Sequence, residues 1–189
     1  MFQDLRFSLS PGEFLHVQGA NGSGKTTLLR TLCGLSLPAA GEVRWNGAPV
    51  RDDAEGFRRQ LCYVGHLNGI QGEFTAAENL ALHLALAGDA GEASLQEALG
   101  QLGLTAVARL PAKLLSQGQK RRVALARFLI TQKPLWIMDE PLTALDVGST
   151  ARLMGVFTAH LDRGGLIVLT SHQDIALASH PHRTLSLDP

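Results

Sequence analysis

No stretch of the sequence reaches the roughly 18 apolar residues that a membrane-crossing helix needs. The longest apolar-rich stretch, Leu80 to Ala87, is interrupted by His83 and closed by Gly88-Asp89, so a spanning segment is excluded. There is no surplus of charge either: 17 basic residues balance 17 acidic ones over 189 positions. A chain that grips nucleic acid through its phosphates usually carries a basic excess, and nucleic acid is not an expected partner. Cysteine is scarce. Cys33 and Cys62 stand in apolar surroundings without metal-ligand spacing, which predicts reduced core thiols rather than a disulfide. The opening residues Met1-Phe2-Gln3-Asp4-Leu5-Arg6 lack the basic start and apolar core of a secretory signal. No internal repeat or low-complexity tract is visible. Hydrophobic content of 45% and charged content of 18% describe one ordinary globular domain.

Against this plain background one stretch stands out: Gly19-Ala20-Asn21-Gly22-Ser23-Gly24-Lys25-Thr26-Thr27. It fits the G-x-x-x-x-G-K-[ST] pattern of a phosphate-binding loop. Glu13 to Gln18 before it reads as a strand and Leu28 to Leu32 after it as a helix, which is the context the motif requires. Glycines let backbone N–H groups turn onto phosphate oxygens where side chains would block approach. The positive end of the helix dipole points at the same place. Lys25 would add a full positive charge, and the Thr26 hydroxyl would ligate Mg²⁺. A nucleotide site is expected here.

The rest of the chain alternates strand and helix signals. Phe7-Ser8-Leu9 alternates and turns at Ser10-Pro11-Gly12, as a strand entering a tight turn would. Gly41 to Gly47 reads as a strand closing in an Asn46-Gly47 hairpin turn. Leu61 to Gly65 reads as a buried strand, broken by Gly65. Thr75 to Ala87 and Ser94 to Leu102 have helical spacing, joined by a linker at Gly88 to Gly91. A strong helix follows Leu114-Leu115-Ser116-Gln117-Gly118-Gln119, with Val123, Ala126 and Ile130 on its apolar face and Lys120-Arg121-Arg122 expected on its wet face. Pro134 to Glu140 is an apolar strand ending in two carboxylates. Asp146 to Asp162 is helical, Leu166 to Thr170 is a buried strand, Ala176 to Ala178 belong to a short helix, and Arg183 to Leu187 form an edge strand. Apolar strands alternating with helices predict an α/β fold around a mostly parallel sheet covered on both faces. A small antiparallel β element and a helical insertion are attached to it.

Three further groups carry chemistry. Asp139 ends its strand where a P-loop ATPase places the carboxylate that holds the Mg²⁺ hydration shell, and Glu140 would address the water attacking the γ-phosphate. His172 stands just past another strand's C-terminal end, the edge at which α/β sheets bind ligands, and would contact the γ-phosphate and orient that water. Ser116, Gln117, Gly118 and Gln119 place a hydroxyl and N–H groups at a helix N-terminus, a second anion site. If both loops serve one nucleotide, the simplest arrangement is two chains head to tail, each completed by the other's Ser116.

With these motifs in view, the chain resembles the ATP-binding-cassette (ABC) ATPases, a P-loop NTPase family. Walker A is Gly19–Thr27, the signature Leu115–Gln119, Walker B Leu135–Asp139 with Glu140, the D-loop Ala144-Leu145-Asp146 and the switch histidine His172. The resemblance covers nearly the whole chain as one domain, 1–189, with a helical subdomain at about 75–131. It implies that ATP and Mg²⁺ are bound, Thr26 and Asp139 serving the metal, and that Glu140 is the general base. It further implies that ATP closes an antiparallel pair of nucleotide domains, here a homodimer, on an integral membrane permease.

A narrower resemblance lies in Tyr63 to Ile70, in Leu135 to Asp146 and in Thr170-Ser171-His172-Gln173. These are similar to the ATPase subunit of the haem exporter of cytochrome c maturation. That resemblance implies haem-pathway partners and a peripheral position on the cytoplasmic face of the bacterial inner membrane. ATP would drive either haem export or release of a haem-loaded chaperone. His66 replaces the usual glutamine and is assigned as a coupling residue rather than a ligand. The family also begins with a strand whose aromatic residue stacks on adenine. Here Phe2 lies too near the P-loop for that strand to be complete, which implies weakened adenine binding, substitution by Phe2, or an upstream start. Another exporter's ATPase (lipoprotein or peptide) and a soluble ABC protein remain as alternatives.

Overall fold

A computed structural model describes residues 4–87, 92–173, 175, 177 and 180–188. Phe2, the linker at Gly88 to Gly91 and most of the short helix expected at Ala176 to Ala178 lie outside the described residues. In chain order the elements are β1 (Phe14–Gln18), α1 (Lys25–Leu32), β2 (Arg44–Trp45), β3 (Ala48–Pro49), α2 (Ala54–Arg58), β4 (Leu61–Val64), α3 (Ala76–Ala87) and α4 (Glu92–Gln101). They continue with α5 (Gln117–Leu125), α6 (Arg127–Ile130), β5 (Leu135–Asp139), α7 (Val147–Asp162), β6 (Leu166–Thr170) and β7 (His182–Ser186). The chain divides into two compact units: 1–65 with 133–140 and 160–189, and 66–132 with 141–159.

The first unit is built on a five-stranded sheet in the order β4-β5-β6-β1-β7, every neighbouring pair parallel. β5 and β6 are buried at all five positions, which is why they read as unbroken apolar runs rather than alternations. Leu15, Val17, Leu29, Ile137 and Val168 share one core with Cys33, and α1 packs on β5 and β6. Register decides which strand ends meet. Val17 lies opposite Thr170, and Thr170 opposite Asp139, so three strands end side by side. β2 and β3 form the expected antiparallel hairpin, turning at Asn46 (φ 50°) and Gly47 (φ 83°).

Two expectations are corrected here. Phe7 to Leu9 makes no ladder among the described residues. Leu5, Phe7 and Leu9 instead lay their side chains on the core from an extended segment, and one-sided burial alone produces the alternation. Arg183 to Leu187 does form the edge strand, displaced by one residue to His182–Ser186. Cys33 and Cys62 are free buried thiols, and burial, with Cys62 nearby, pushes the Cys33 thiol up to about 12, leaving it unreactive as a nucleophile.

Beneath β5 the indole of Trp136 stacks on the imidazole of His160, ring centroids 3.6 Å apart and planes 9° from parallel. His160 Nε2 lies 3.2 Å from the Pro134 carbonyl. Burial pushes its pKa down to about 4, against opposing hydrogen bonds from Pro134 and Leu166. Below pH 6.5 the unfolded chain therefore takes up a proton that the folded chain refuses, so stability falls as pH drops from 6.5 toward 4. At pH 5 this costs about 2 kcal/mol relative to pH 8. Urea unfolding at the two pH values should show that loss in the native chain and a smaller one in His160→Phe. Equal losses in both would exclude His160 as the cause.

The second unit is helical. Thr75 and Glu78 cap α3 reciprocally: the Glu78 N–H donates to Thr75 Oγ1 at 3.1 Å and the Thr75 N–H to Glu78 Oε2 at 2.7 Å. The buried Asn79 amide accepts from the Gln71 N–H and donates to the carbonyls of Gln71, Phe74 and Thr75, which fixes the loop entering the helix. The expected wet face of the helix after Ser116 is corrected: Arg121 is buried, 4% exposed, and donates to Asn68 Oδ1 at 3.1 Å. Arg122 donates to the carbonyls of Leu102 and Gly103, and Arg127 to that of Gly69. These guanidiniums serve carbonyls and an amide of neighbouring loops, contacts that helical periodicity does not reveal.

Candidate functional site: a P-loop and two carboxylates

The first unit brings Gly19–Thr27, Asp139, Glu140 and His172 to the C-terminal edge of its sheet. The P-loop leaves β1 and enters α1 through Gly24, which caps the helix in the left-handed region (φ 103°) without a side-chain hydrogen bond. Gly19 also answers to close approach: a Cβ there would lie 2.6 Å from Ser23 Oγ. Lys25 is 9% exposed, and its ammonium donates to the carbonyls of Gly19 at 2.6 Å and Ala20 at 3.1 Å, inside the loop's own curve. The Ala20 N–H donates to Asp188 Oδ1 at 2.7 Å, so this loop already receives one anionic oxygen. Ser23 Oγ is buried without a hydrogen-bond partner among the described residues. A donor of that kind, beside a buried ammonium and loop amides, suits phosphate oxygens.

Asp139, 3% exposed, is the hub of the site. Its Oδ2 accepts from the Thr26 hydroxyl at 2.7 Å and its Oδ1 from the Thr170 hydroxyl at 2.7 Å. Thr170 in turn accepts the Glu140 N–H at 2.9 Å. Glu140 leaves the strand with φ 52°, a conformation that costs a residue with a side chain about 1–2 kcal/mol. His172 Nε2 lies 3.5 Å from Glu140 Oε1, the imidazole 57% exposed and the carboxylate 18%. Behind the site His16, 2% exposed, places Nε2 3.1 Å from the Ser171 carbonyl and Nδ1 3.2 Å from the Gln18 amide. The tautomer protonated on Nε2 satisfies both contacts and ties β1 to the segment carrying His172. His16 carries no motif signal, and Thr170 only that of the run ending in His172; the strand register exposes what each contacts.

The fit to Mg²⁺ is favourable. Thr26 and Asp139 present hard oxygen donors in contact with each other, and among the described residues no cluster of three or more His, Cys, Asp or Glu side chains forms a full cage. Mg²⁺ on a nucleotide uses one or two protein oxygens and takes the rest from phosphate and water.

The remaining candidates belong to the second unit. Ser116 caps α5 in a reciprocal box: its Oγ accepts the Gln119 N–H at 3.2 Å while Gln119 Oε1 accepts the Ser116 N–H at 2.8 Å. Gly118 sits against the loop at Ala144, which is itself left-handed (φ 65°). Asp146 caps α7, accepting the Ser149 N–H at 2.7 Å. The Ser149 backbone and hydroxyl hold its carboxyl below the usual range, with smaller help from Arg122 and Arg152. His66 is exposed in the segment after β4.

The sequence pattern of the ABC transporter family matches residues 2–143. The chain belongs to that family. It is an ABC ATPase. Among curated relatives it is 50% identical over 180 residues, 95% of this chain and 84% of the relative, to the cytochrome c biogenesis ATP-binding export protein CcmA of Nitrosomonas europaea. It is 46% identical over 187 residues, 99% of this chain and 89% of the relative, to the protein of the same name in Salmonella typhi. Among solved structures it is similar to an ATP-binding subunit of an ABC transporter, with TM-score 0.80, 30% identity, 90% of this chain and 72% of that one. It is similar also to a dimeric ATP-binding cassette in a post-hydrolysis state bound to ADP and Pi, with TM-score 0.79, 28% identity, 88% of this chain and 78% of that one. No helix among the described residues is long and apolar enough to cross a membrane.

Proposed function

We propose that this ABC ATPase is the ATP-hydrolysing subunit of a membrane complex that exports for c-type cytochrome biogenesis, moving haem or releasing a haem-loaded chaperone. The observation that carries the reading is the linkage of Thr26, Asp139, Thr170 and Glu140 through hydroxyls at one sheet edge, with Lys25 on the same unit. The relatives' names carry the pathway.

In this reading the amides of Gly19 to Thr27 and the Lys25 ammonium hold the β- and γ-phosphates of ATP. Thr26 and Asp139 hold Mg²⁺, which when bound neutralises phosphate charge. Glu140 accepts the proton of the water that attacks the γ-phosphorus as the bond to ADP breaks. His172 steadies the γ-phosphate and that water. Ser116, Gln117, Gly118 and Gln119 of a second copy, with its Asp146, complete the site in the homodimer. His66 couples the site to an integral membrane permease. The subunit is then peripheral, on the cytoplasmic face of the inner membrane.

The deciding experiment replaces the native gene by one encoding Lys25→Ala and stains cell extracts for covalently bound haem. Loss of all c-type cytochromes with b-type haem proteins intact is expected. A normal stain would remove the haem pathway and point to another exporter or to a soluble role.

A further inference from the structure

We infer that Thr170 is a positioning residue for hydrolysis: its hydroxyl sets the backbone of Glu140 against Asp139, and so aims the general base. The inference rests on the reading of Glu140 given above. Three observations carry it. Thr170 is fully buried at the last position of β6, directly opposite Asp139 in the ladder. Its single hydroxyl hydrogen goes to Asp139 Oδ1 at 2.7 Å, which leaves an oxygen lone pair for the Glu140 N–H at 2.9 Å. Glu140 is the residue that leaves the strand left-handed, with φ 52°.

Chemistry fixes the direction of both hydrogen bonds. The Glu140 N–H can only donate, so the Thr170 oxygen accepts it, and the hydroxyl hydrogen is left to go to Asp139 Oδ1. A left-handed residue persists where its surroundings over-determine it, and this acceptor supplies such a constraint at the N–H. Turned otherwise, the Glu140 backbone would carry its carboxylate away from His172 Nε2, now 3.5 Å distant. A general base misplaced by an ångström loses much of its effect. Thr170, fully buried behind these two carboxylate residues, therefore acts through Glu140.

The test compares the purified full chain with Thr170→Val, which keeps shape and loses the hydroxyl, and Thr170→Ser, which keeps the hydroxyl and loses the methyl. Steady-state ATP hydrolysis and binding of a fluorescent ATP analogue are measured for each, with Glu140→Gln as reference. The expected result is a kcat at least tenfold lower in Thr170→Val, KM and analogue affinity within twofold of the native chain, and Thr170→Ser within threefold of native kcat. A Thr170→Val chain with native kcat would overturn the inference. So would affinity falling in step with kcat, or a folded Thr170→Ser as slow as Thr170→Val. If Thr170→Val does not fold by circular dichroism, Thr170→Ala takes its place under the same criteria. A dead Glu140→Gln beside an active Thr170→Val sinks this inference alone, whereas native turnover in Glu140→Gln, or an inactive native chain, sinks the reading of the site with it.

Discussion

Glu140→Gln should bind ATP as the native chain does and turn it over 10²–10⁴ times more slowly, the range a positioned general base contributes. The amide is isosteric, so the left-handed backbone at φ 52° and the N–H bond to Thr170 have no reason to change. The substitution removes the proton acceptor and the negative charge beside His172, 3.5 Å away. In the proposed reading nucleotide binding rests instead on Lys25, the P-loop amides and the Thr26–Asp139 pair. Single-turnover hydrolysis separates the two steps: the variant should fill with nucleotide and release almost no phosphate. Phosphate release within threefold of native would assign the proton to another acceptor. A parallel loss of binding would make Glu140 a binding residue instead.

How far the sequence leads here depends on the distance over which each contact is encoded. The P-loop is local: Gly24 caps the loop's own helix and Lys25 donates within the loop, so spacing alone announces it. The capping box of Ser116 and Gln119 is local too, three residues apart. The β5 and β6 strands are legible because a position buried on both faces must be apolar. The contacts of Thr170 and His16 are not legible in this way. Thr170 meets Asp139 across 31 residues and His16 meets Ser171 across 155, and only parallel register brings them together. Arg121 misleads for a related reason. Its neighbours in sequence are charged, yet its partner Asn68 lies 53 residues away, and charge runs are read from sequence neighbours.

Gly118→Ala should be the most damaging conservative change in the helical unit. A Cβ at this position would fall 2.5 Å from the Ala144 carbonyl oxygen, a distance at which backbone must move, because no flexible side chain is there to yield. Ala144 already occupies the left-handed region at φ 65°, so it has little freedom to retreat without changing its own conformation. Two residues on, Asp146 caps α7 through the Ser149 N–H, and a displaced Ala144 loop drags that cap. Overpacking of this kind costs roughly 1–3 kcal/mol, although alanine is otherwise the better helix former than glycine by about 1 kcal/mol. The sign of the stability change therefore distinguishes the two effects: a lowered urea midpoint is expected, and a raised one would mean the Ala144 carbonyl gives way freely. Function should suffer more than stability. If Ser116 to Gln119 complete the site of a second copy, a shifted helix N-terminus misplaces its N–H groups by a substantial part of an ångström. Turnover should then fall at least a hundredfold while Lys25 and the P-loop, in the other unit, still bind nucleotide. Gly118→Ala with near-native turnover would show that the amides at this helix start do not meet phosphate.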